Sequence, residues 1–274
     1  MDYLKKLLDF YINSSIHVGL SVFALVQMTA FLFQISNIEA SALFAFFGTI
    51  VGYNFVKYDA LARTQKMKMR TELKLIAGLS FLSLLATGYF FFQLELTTKI
   101  IAVVFLIMTM LYTLPFFPNH KNARNWAGVK IYIVSLCWVG VTLFLPILNA
   151  GIPLTMDILV IAVQRFILIF VLILIFEIID LRVDDPNLKT VPQQIGVENT
   201  KMVGGILLLV FMLLGLFQTH FSFSTLFLRL GVAFTVLLFL LNATEKRSKY
   251  YSSFWVESIP IFWMGFVMLL DINS

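Results

Sequence analysis

The chain has 274 residues, of which 60% are hydrophobic and only 13% are charged, and its mean hydropathy is +0.92. Soluble domains carry about 25% charged residues, so this composition excludes a soluble globular protein and indicates a polytopic membrane protein. The formal net charge of +5 is explained by basic residues in membrane-flanking loops and does not imply binding to nucleic acid.

The N-terminal stretch MDYLKKLLDFYINSS lacks a small-residue cleavage site, so we do not expect a removable signal peptide. Beyond it the sequence predicts nine transmembrane helices, because a helix that crosses the bilayer needs about 20 mostly apolar residues. The predicted spans are 15–35, 38–57, 74–93, 99–117, 128–148, 156–177, 203–220, 223–242 and 253–270. The predicted fold is therefore all-α, a polytopic membrane protein with a single transmembrane helical domain at 1–274.

Basic residues predict the orientation of these spans. With the N-terminus in the cytoplasm, every Lys and Arg except Lys99, Arg165 and Arg229 lies in or beside a cytoplasmic segment. The C-terminus is then outside, and we expect an integral protein of a bacterial inner membrane. For Arg165, a buried functional role and partial snorkelling to the membrane surface are both open, whereas for Arg229 snorkelling is favoured.

Acidic residues collect where the sixth predicted span ends. Glu177, Asp180 and Asp184 have the i, i+3, i+7 spacing that places side chains on one face of a helix. Two carboxylates one turn apart suit Mg²⁺, which binds one or two protein carboxylates together with water and substrate phosphates. The alternative is that these acids only cap a helix end in water, although acids at a helix C-terminus oppose the macrodipole.

The segment that begins with these acids resembles the second aspartate motif of the UbiA superfamily of intramembrane prenyltransferases. In that motif D-x-x-x-D is followed by a basic residue, a Thr, often a Pro, and a Gly before the next helix. The matching residues here are Asp180, Asp184, Lys189, Thr190, Pro192 and Gly196. Nine helices are also the family's number, and the stretch LYTLPFFPNHKNARNW from residue 111 is similar to the family's Tyr-x-x-Pro segment with trailing basic residues.

The resemblance implies a UbiA-like helical bundle and a Mg²⁺-dependent reaction in the membrane. An isoprenyl chain would pass from its diphosphate to a lipophilic or aromatic acceptor, with membrane lipids around the protein. Metal binding would fall to Asp180 and Asp184, with Glu177 on the same face. Tyr112 would support the developing carbocation through its ring, although tyrosine is also common at membrane interfaces. The residues expected to bind the diphosphate are Asn54, Lys121, Arg124, Lys130 and Lys189.

The family's first motif, N-D-x-x-D-x-x-x-D, is not kept in this chain. When the motif is aligned on Asn54, its three aspartate positions hold Phe55, Tyr58 and Ala62. An acid stands nearby at Asp59, but one position out of register, which is about 100° around a helix. The first metal-binding position is therefore degraded.

Two interpretations follow from this departure. In one, the protein is an enzyme with fewer metals, and Lys57 supplies positive charge to the diphosphate. In the other, it is a non-catalytic lipid- or isoprenoid-binding membrane protein on the same scaffold, and Lys57 belongs to the positive-inside pattern. Glu257, near the start of the last span, is expected to face the same cavity or the membrane interface. A secondary transporter is less favoured, since paired broken helices in matching halves are not found.

Overall fold

The computed structural model describes residues 2–64, 71–113, 128–218 and 223–271, with the backbone alone at 59–64, 111–113 and a few further positions. These residues contain helices and connecting turns but no strand. The helices are α1 (Asp2–Asn13), α2 (Ile16–Phe33), α3 (Glu39–Thr64), α4 (Thr71–Gln93), α5 (Leu96–Thr113), α6 (Val129–Val139), α7 (Leu145–Asn149), α8 (Met156–Asp180), α9 (Val191–Ile195), α10 (Val197–Leu214), α11 (Phe223–Asn242) and α12 (Ile259–Asp271). π-Helical turns at Gly140–Phe144 and Tyr251–Val256 precede α7 and α12.

The predicted all-α membrane fold is confirmed, and each predicted span coincides with an apolar helical segment. Within the described ranges, eight segments are long and apolar enough to cross a bilayer, whereas Leu96–Met110 is apolar but shorter. The eight are Ile16–Phe33, Glu39–Tyr58, Thr71–Gln93, Val129–Asn149, Met156–Asp180, Val197–Phe217, Thr225–Asn242 and Tyr251–Leu269. Helix α5 runs from Leu96 to Thr113, and the rest of the predicted span 99–117 lies outside the described residues.

Helix α8 lies at the centre of the bundle, where it packs against α6, α10 and α11. Its stretch 166–176 contains only apolar residues, and a helix that is apolar on every face is stable when other helices surround it. Most of its side chains are buried, among them Leu168, Leu174 and Ile178. Because other helices pack along most of α8, the polar residues at its end occupy a fixed position in the bundle.

Helix α1 was not among the predicted spans, and it is connected to the last part of the chain. The side-chain hydroxyl of Tyr250 donates a hydrogen bond of 2.6 Å to Asp9 Oδ1, and Lys249 Nζ lies 3.5 Å from the same oxygen. After Asn13 the chain turns through Ser15, whose φ of 63° is left-handed, and enters α2. This turn carries several of the polar contacts described below.

Candidate functional site

The three predicted metal-binding acids lie at the end of α8. Glu177 is 3% exposed and Asp180 is half-buried in the last turn of the helix. The helix ends at Asp180, so the prediction that Asp184 lies on the same helical face is wrong. Asp184 nevertheless stays one turn away, because its backbone N–H donates to the carbonyl oxygen of Asp180 at 2.9 Å. The chain turns here instead of continuing as a helix, and Asp180 and Asp184 remain neighbours.

The segment after these acids folds back onto the end of α8. The backbone N–H of Val191 donates a hydrogen bond of 3.1 Å to Glu177 Oε2, and Gln193 Oε1 accepts one of 2.9 Å from the N–H of Thr190. Gly196, with φ of +80°, separates α9 from α10 in a conformation that glycine adopts without strain. The Thr, Pro and Gly of the sequence motif therefore build the loop beside the acids.

One predicted cation is placed beside the carboxylates. Lys130 lies half-buried in the first turn of α6, and its charge interacts with those of Glu177 and Asp180. Just before it, Gly128 packs on the folded-back loop, since a Cβ there would lie 3.4 Å from Gln194 Nε2. The start of α6 and the motif loop thus form one side of the candidate site.

The other predicted cations are less constrained by the structure. Lys189 is exposed and has a left-handed φ of +46° in the motif loop. Lys121 and Arg124 lie outside the described residues, as does the side chain of Tyr112. Their predicted roles stay predictions.

The donor chemistry of these acids suits Mg²⁺. Neither Asp180 nor Asp184 makes a side-chain hydrogen bond or ion pair with another described residue, so their oxygens are available. Across the described chain, no group of three or more His, Cys, Asp or Glu side chains is arranged as a ready-made metal site. Glu177 has one oxygen committed to Val191, and Oε1 has no partner in the described part of the chain. Two available carboxylates fit an ion that completes its coordination with water and substrate phosphate.

Asn54, predicted to contact the diphosphate, is engaged in the fold. Its Nδ2 donates to the carbonyl oxygen of Ser14 and to Ser80 Oγ, both at 2.9 Å, while its Oδ1 accepts from Ser15 Oγ at 2.8 Å. The residue is 3% exposed. Both amide hydrogens are used, so Asn54 joins α3 to α4 and to the turn before α2 and has no donor left for a phosphate oxygen.

Lys57 lies one turn further along α3. Its Nζ donates to Ser15 Oγ at 3.0 Å and to the carbonyl oxygen of Ile12 at 3.5 Å. Its charge also interacts with that of Glu257, which lies between the π-helical turn and α12. Sequence reasoning treated these two residues separately because 200 positions divide them. The sequence signal was a charged residue near the cytoplasmic end of each of two membrane helices.

A buried histidine beside this pair was not predicted to have a role. His17 is 3% exposed, its Nδ1 lies 2.8 Å from the hydroxyl of Tyr11, and its Nε2 lies 2.9 Å from the carbonyl oxygen of Phe254. Because a carbonyl only accepts hydrogen bonds, Nε2 carries the proton and Nδ1 accepts from Tyr11. His17 therefore connects α1 and α2 to the π-helical turn at Tyr251–Val256.

At the other end of α8 the two intramembrane arginines are both buried. Arg165 is 4% and Arg229 is 7% exposed. The guanidinium of Arg229 donates a hydrogen bond of 2.6 Å to Gln218 Oε1, next to the connection between α10 and α11, and its snorkelling to the membrane surface stays a prediction. For Arg165 the structure supports the buried alternative over snorkelling.

These features define an all-α, polytopic membrane protein. No protein-family model matches the chain, and no curated protein matches it either. A solved structure described as a digeranylgeranylglyceryl phosphate synthase in membranes is similar, with a TM-score of 0.54 and 15% sequence identity over 97% of this chain and 96% of that chain. The likeness covers nearly the whole of both chains and confirms the predicted helical-bundle fold.

Proposed function

We propose that this protein is an intramembrane prenyltransferase that moves an isoprenyl chain from its diphosphate to a lipophilic or aromatic acceptor. The observation that carries the proposal is the pair of available carboxylates, Asp180 and Asp184, beside Lys130 at one end of the central helix. The likeness in fold to a digeranylgeranylglyceryl phosphate synthase over nearly the whole chain supports it.

In this proposal the diphosphate is held at the end of α8. Asp180 and Asp184 would hold Mg²⁺, with Glu177 as the further acid implied by the sequence, and the bound ion would supply positive charge opposite the diphosphate oxygens. Lys130 offers a charge-assisted hydrogen bond to the same group. Lys189, Lys121 and Arg124 are the further basic residues proposed to bind it.

Transfer breaks the bond between the first carbon of the prenyl chain and the diphosphate oxygen. A bond to the acceptor forms, the diphosphate leaves with the bonding electron pair, and the acceptor loses a proton. The ammonium of Lys130 stabilises the leaving diphosphate electrostatically, an effect that is strong where water is excluded. Tyr112 is proposed to support positive charge on the prenyl carbon through its ring.

The α3 side of the proposed site works without the acids of the family's first motif. Phe55 and Tyr58 stand at two of the aspartate positions, and the amide of Asn54 is committed to the fold. Lys57 is a charged residue on this side of the proposed site, and we propose that its ammonium stabilises the negative charge of the diphosphate. Its contact with Ser15 and its attraction to Glu257 orient the ammonium.

A second candidate is a non-catalytic protein that binds an isoprenoid or another lipid. It is favoured by Asn54, whose three hydrogen bonds give a former motif position a purely structural use. In both cases we propose that the protein resides in a bacterial inner membrane with the N-terminus and the end of α8 on the cytoplasmic side. The basic residues of the loops support this orientation.

The test is pyrophosphate release by the purified protein in lipid vesicles. Farnesyl and geranylgeranyl diphosphate would be supplied with membrane-extracted acceptors, in Mg²⁺ or in EDTA. We expect release that requires Mg²⁺ and falls at least about a hundredfold in Asp180→Asn and Asp184→Asn. Glu198→Gln is the matched control, since it removes an 89% exposed carboxylate near the start of α10.

The outcomes separate the two candidates. Release that depends on Mg²⁺ and on both aspartates supports the transferase. Prenyl diphosphate binding that depends on Asp180 and Asp184 without any release supports the lipid-binding protein. Release that is unchanged in both aspartate variants would overturn the proposed site.

A further inference from the structure

Two arginine side chains line a cleft at the opposite end of the bundle from Asp180. The cleft is lined by α2, α8, α10, α11 and α12 and has a cavity volume of about 70 Å³. Arg165 and Arg229 both line it, together with Gln164, Gln218 and Trp263. The other lining residues are mostly apolar. Neither the predicted diphosphate site nor the fold assigns a role to this cleft.

Arg165 uses a single nitrogen to hold neighbouring helices. Its Nη1 lies 2.6 Å from Thr29 Oγ1 and 2.7 Å from the carbonyl oxygen of Thr142. Its Nη2 and Nε make no hydrogen bond to a described residue. All its described partners are neutral hydroxyl and carbonyl oxygens, so its positive charge has no carboxylate partner in the described part of the chain.

Arg229 also has a guanidinium nitrogen without a hydrogen-bond acceptor among the described residues. Its Nη2 bonds to Gln218 and lies 3.3 Å from Thr225 Oγ1, whereas its Nη1 is buried and has no hydrogen-bond acceptor among the described residues. Gly215 provides the room for this group, because a Cβ there would stand 1.8 Å from Nη1. On the same cleft, Trp263 Nε1 is also buried without an acceptor.

The remaining polar groups tie Arg229 to α8 and α10. Gln218 Oε1 accepts from Arg229, and Gln218 Nε2 donates to Gln164 Oε1 at 3.0 Å. Gln164 Nε2 in turn donates to the carbonyl oxygen of Phe211 at 2.8 Å. Arg165 is instead held by Thr29 of α2 and by Thr142 of the first π-helical turn. A buried cation without a carboxylate partner is costly in a membrane protein.

We propose that this cleft binds a phosphate-bearing anion, either the headgroup of an anionic lipid or free phosphate. Guanidinium groups suit phosphate because several N–H donors lie in one plane. Phe31 and Leu32, which are 40% and 39% exposed, lie on the apolar side of the cleft and offer contact to acyl chains. By helix rise, Arg165 lies about 14 Å and Arg229 about 9 Å from the start of its helix, within reach of one leaflet. The inference does not depend on the prenyltransferase proposal.

Native mass spectrometry of the purified, delipidated protein tests the proposal. The probes are dioleoylphosphatidylglycerol, which is anionic, dioleoylphosphatidylcholine, which has no net charge, and inorganic phosphate. We expect phosphatidylglycerol to bind more tightly than phosphatidylcholine, and Arg229→Gln to weaken its binding about tenfold. Gly215→Ala is a second variant, because it keeps both charges but displaces the Arg229 guanidinium. Lys99→Gln is the control, since it removes a cation from the same end of the bundle, away from the cleft.

Each outcome decides the proposal. Weaker binding in both Arg229→Gln and Gly215→Ala, with Lys99→Gln unchanged, supports the anion site. Competition by inorganic phosphate at similar concentration assigns the site to the free ion, and lack of competition assigns it to the lipid headgroup. Equal binding of the two lipids with no binding of phosphate, or unchanged binding of all probes in Arg229→Gln, overturns it.

Discussion

The backbone N–H of Val191 donates a hydrogen bond of 3.1 Å to Glu177 Oε2, which joins the loop after the central helix to that helix's last turn. Glu177 is 3% exposed, so the acceptor that it offers is not readily replaced by water. The contact positions Asp180 and Asp184 by fixing both ends of the turn that contains them. Glu177 therefore shapes the candidate site as well as offering its second oxygen to it.

Replacement of Glu177 should separate its structural role from its charge. Glu177→Gln keeps an oxygen acceptor for Val191, whereas Glu177→Ala leaves the N–H unpaired at a cost of about 1–3 kcal/mol. We expect the Ala variant to have the lower Tm in detergent and the Gln variant to lie close to the parent protein. Equal Tm values for the two variants would contradict this account.

Asn54 should matter for stability rather than for substrate contact. Asn54→Ala removes three hydrogen bonds, two of them buried and one partly buried, and leaves Ser14, Ser15 and Ser80 each without one partner. At about 0.6–1 kcal/mol for each bond, we expect the protein to lose roughly 2–3 kcal/mol of stability. Thermal unfolding in detergent measures the loss. An Asn54→Ala protein with unchanged Tm and weaker diphosphate binding would restore the role that the sequence predicted.

Lys57 and Glu257 should be energetically coupled. Removal of one charge leaves the opposite charge without its partner inside the bundle. Removal of both leaves no unpaired charge there. We expect Lys57→Met and Glu257→Gln each to destabilise the protein, and the double variant to be less destabilised than the sum by about 0.5–3 kcal/mol. A double-mutant cycle on unfolding free energies measures this coupling. Simple additivity would show that the two charges act independently.

Gly140 should not accept a side chain. It is buried at the start of the first π-helical turn, and a Cβ there would lie 1.9 Å from Phe105 Cζ on α5. Gly140→Ala must displace that ring, at a cost of about 1–3 kcal/mol. Gly205→Ala is the matched control, because nothing lies within 4 Å of its Cβ position and alanine favours the helix. We expect a lower Tm for the first variant and an equal or higher Tm for the second.

The attachment of α1 should depend on pH through Asp9 and Tyr250. The hydrogen bond from Tyr250, with Lys249 nearby, lowers the pKa of Asp9, and the same bond raises the pKa of Tyr250. A lowered acid pKa stabilises the folded state above the unfolded value near 4, and this support is lost as pH falls through the folded pKa. Because the pKa of Tyr250 is raised in the folded state, its hydrogen bond stabilises that state fully below about pH 10. This stabilisation is lost as pH rises through the folded-state pKa of the tyrosine.

Hydrogen exchange of the α1 amides in lipid nanodiscs tests this pH dependence. At pH 7 we expect faster exchange in Tyr250→Phe than in the parent protein, and below the pKa of Asp9 we expect the difference to disappear. The pair is partly exposed, so the effect should be small and confined to Asp2–Asn13. Amides of α2 serve as the internal reference. Identical α1 exchange at pH 7 in both proteins would show that the contact does not hold the helix.

Several assignments at the site needed more than the sequence. The spacing of Glu177, Asp180 and Asp184 predicted neighbouring carboxylates, and the helix end at Asp180 changed how Asp184 reaches them. The sequence predicts that Asn54 of the degraded motif binds diphosphate, whereas in the structure its amide hydrogens bond to Ser14 and Ser80. A motif gives residue types in order, whereas a hydrogen bond depends on which distant atoms come within reach.

The sequence by itself determined that the protein lies in a membrane, that its fold is all-α, and where its membrane helices lie along the chain. These are local properties, since a backbone in lipid must satisfy its hydrogen bonds within each apolar segment. The tertiary structure decided which polar groups meet: Lys57 with Glu257, His17 with Phe254, and Arg165 with Arg229 on one cleft. These partners are separated by tens to hundreds of residues and carry no shared local pattern, so only the packing of the helices brings them together.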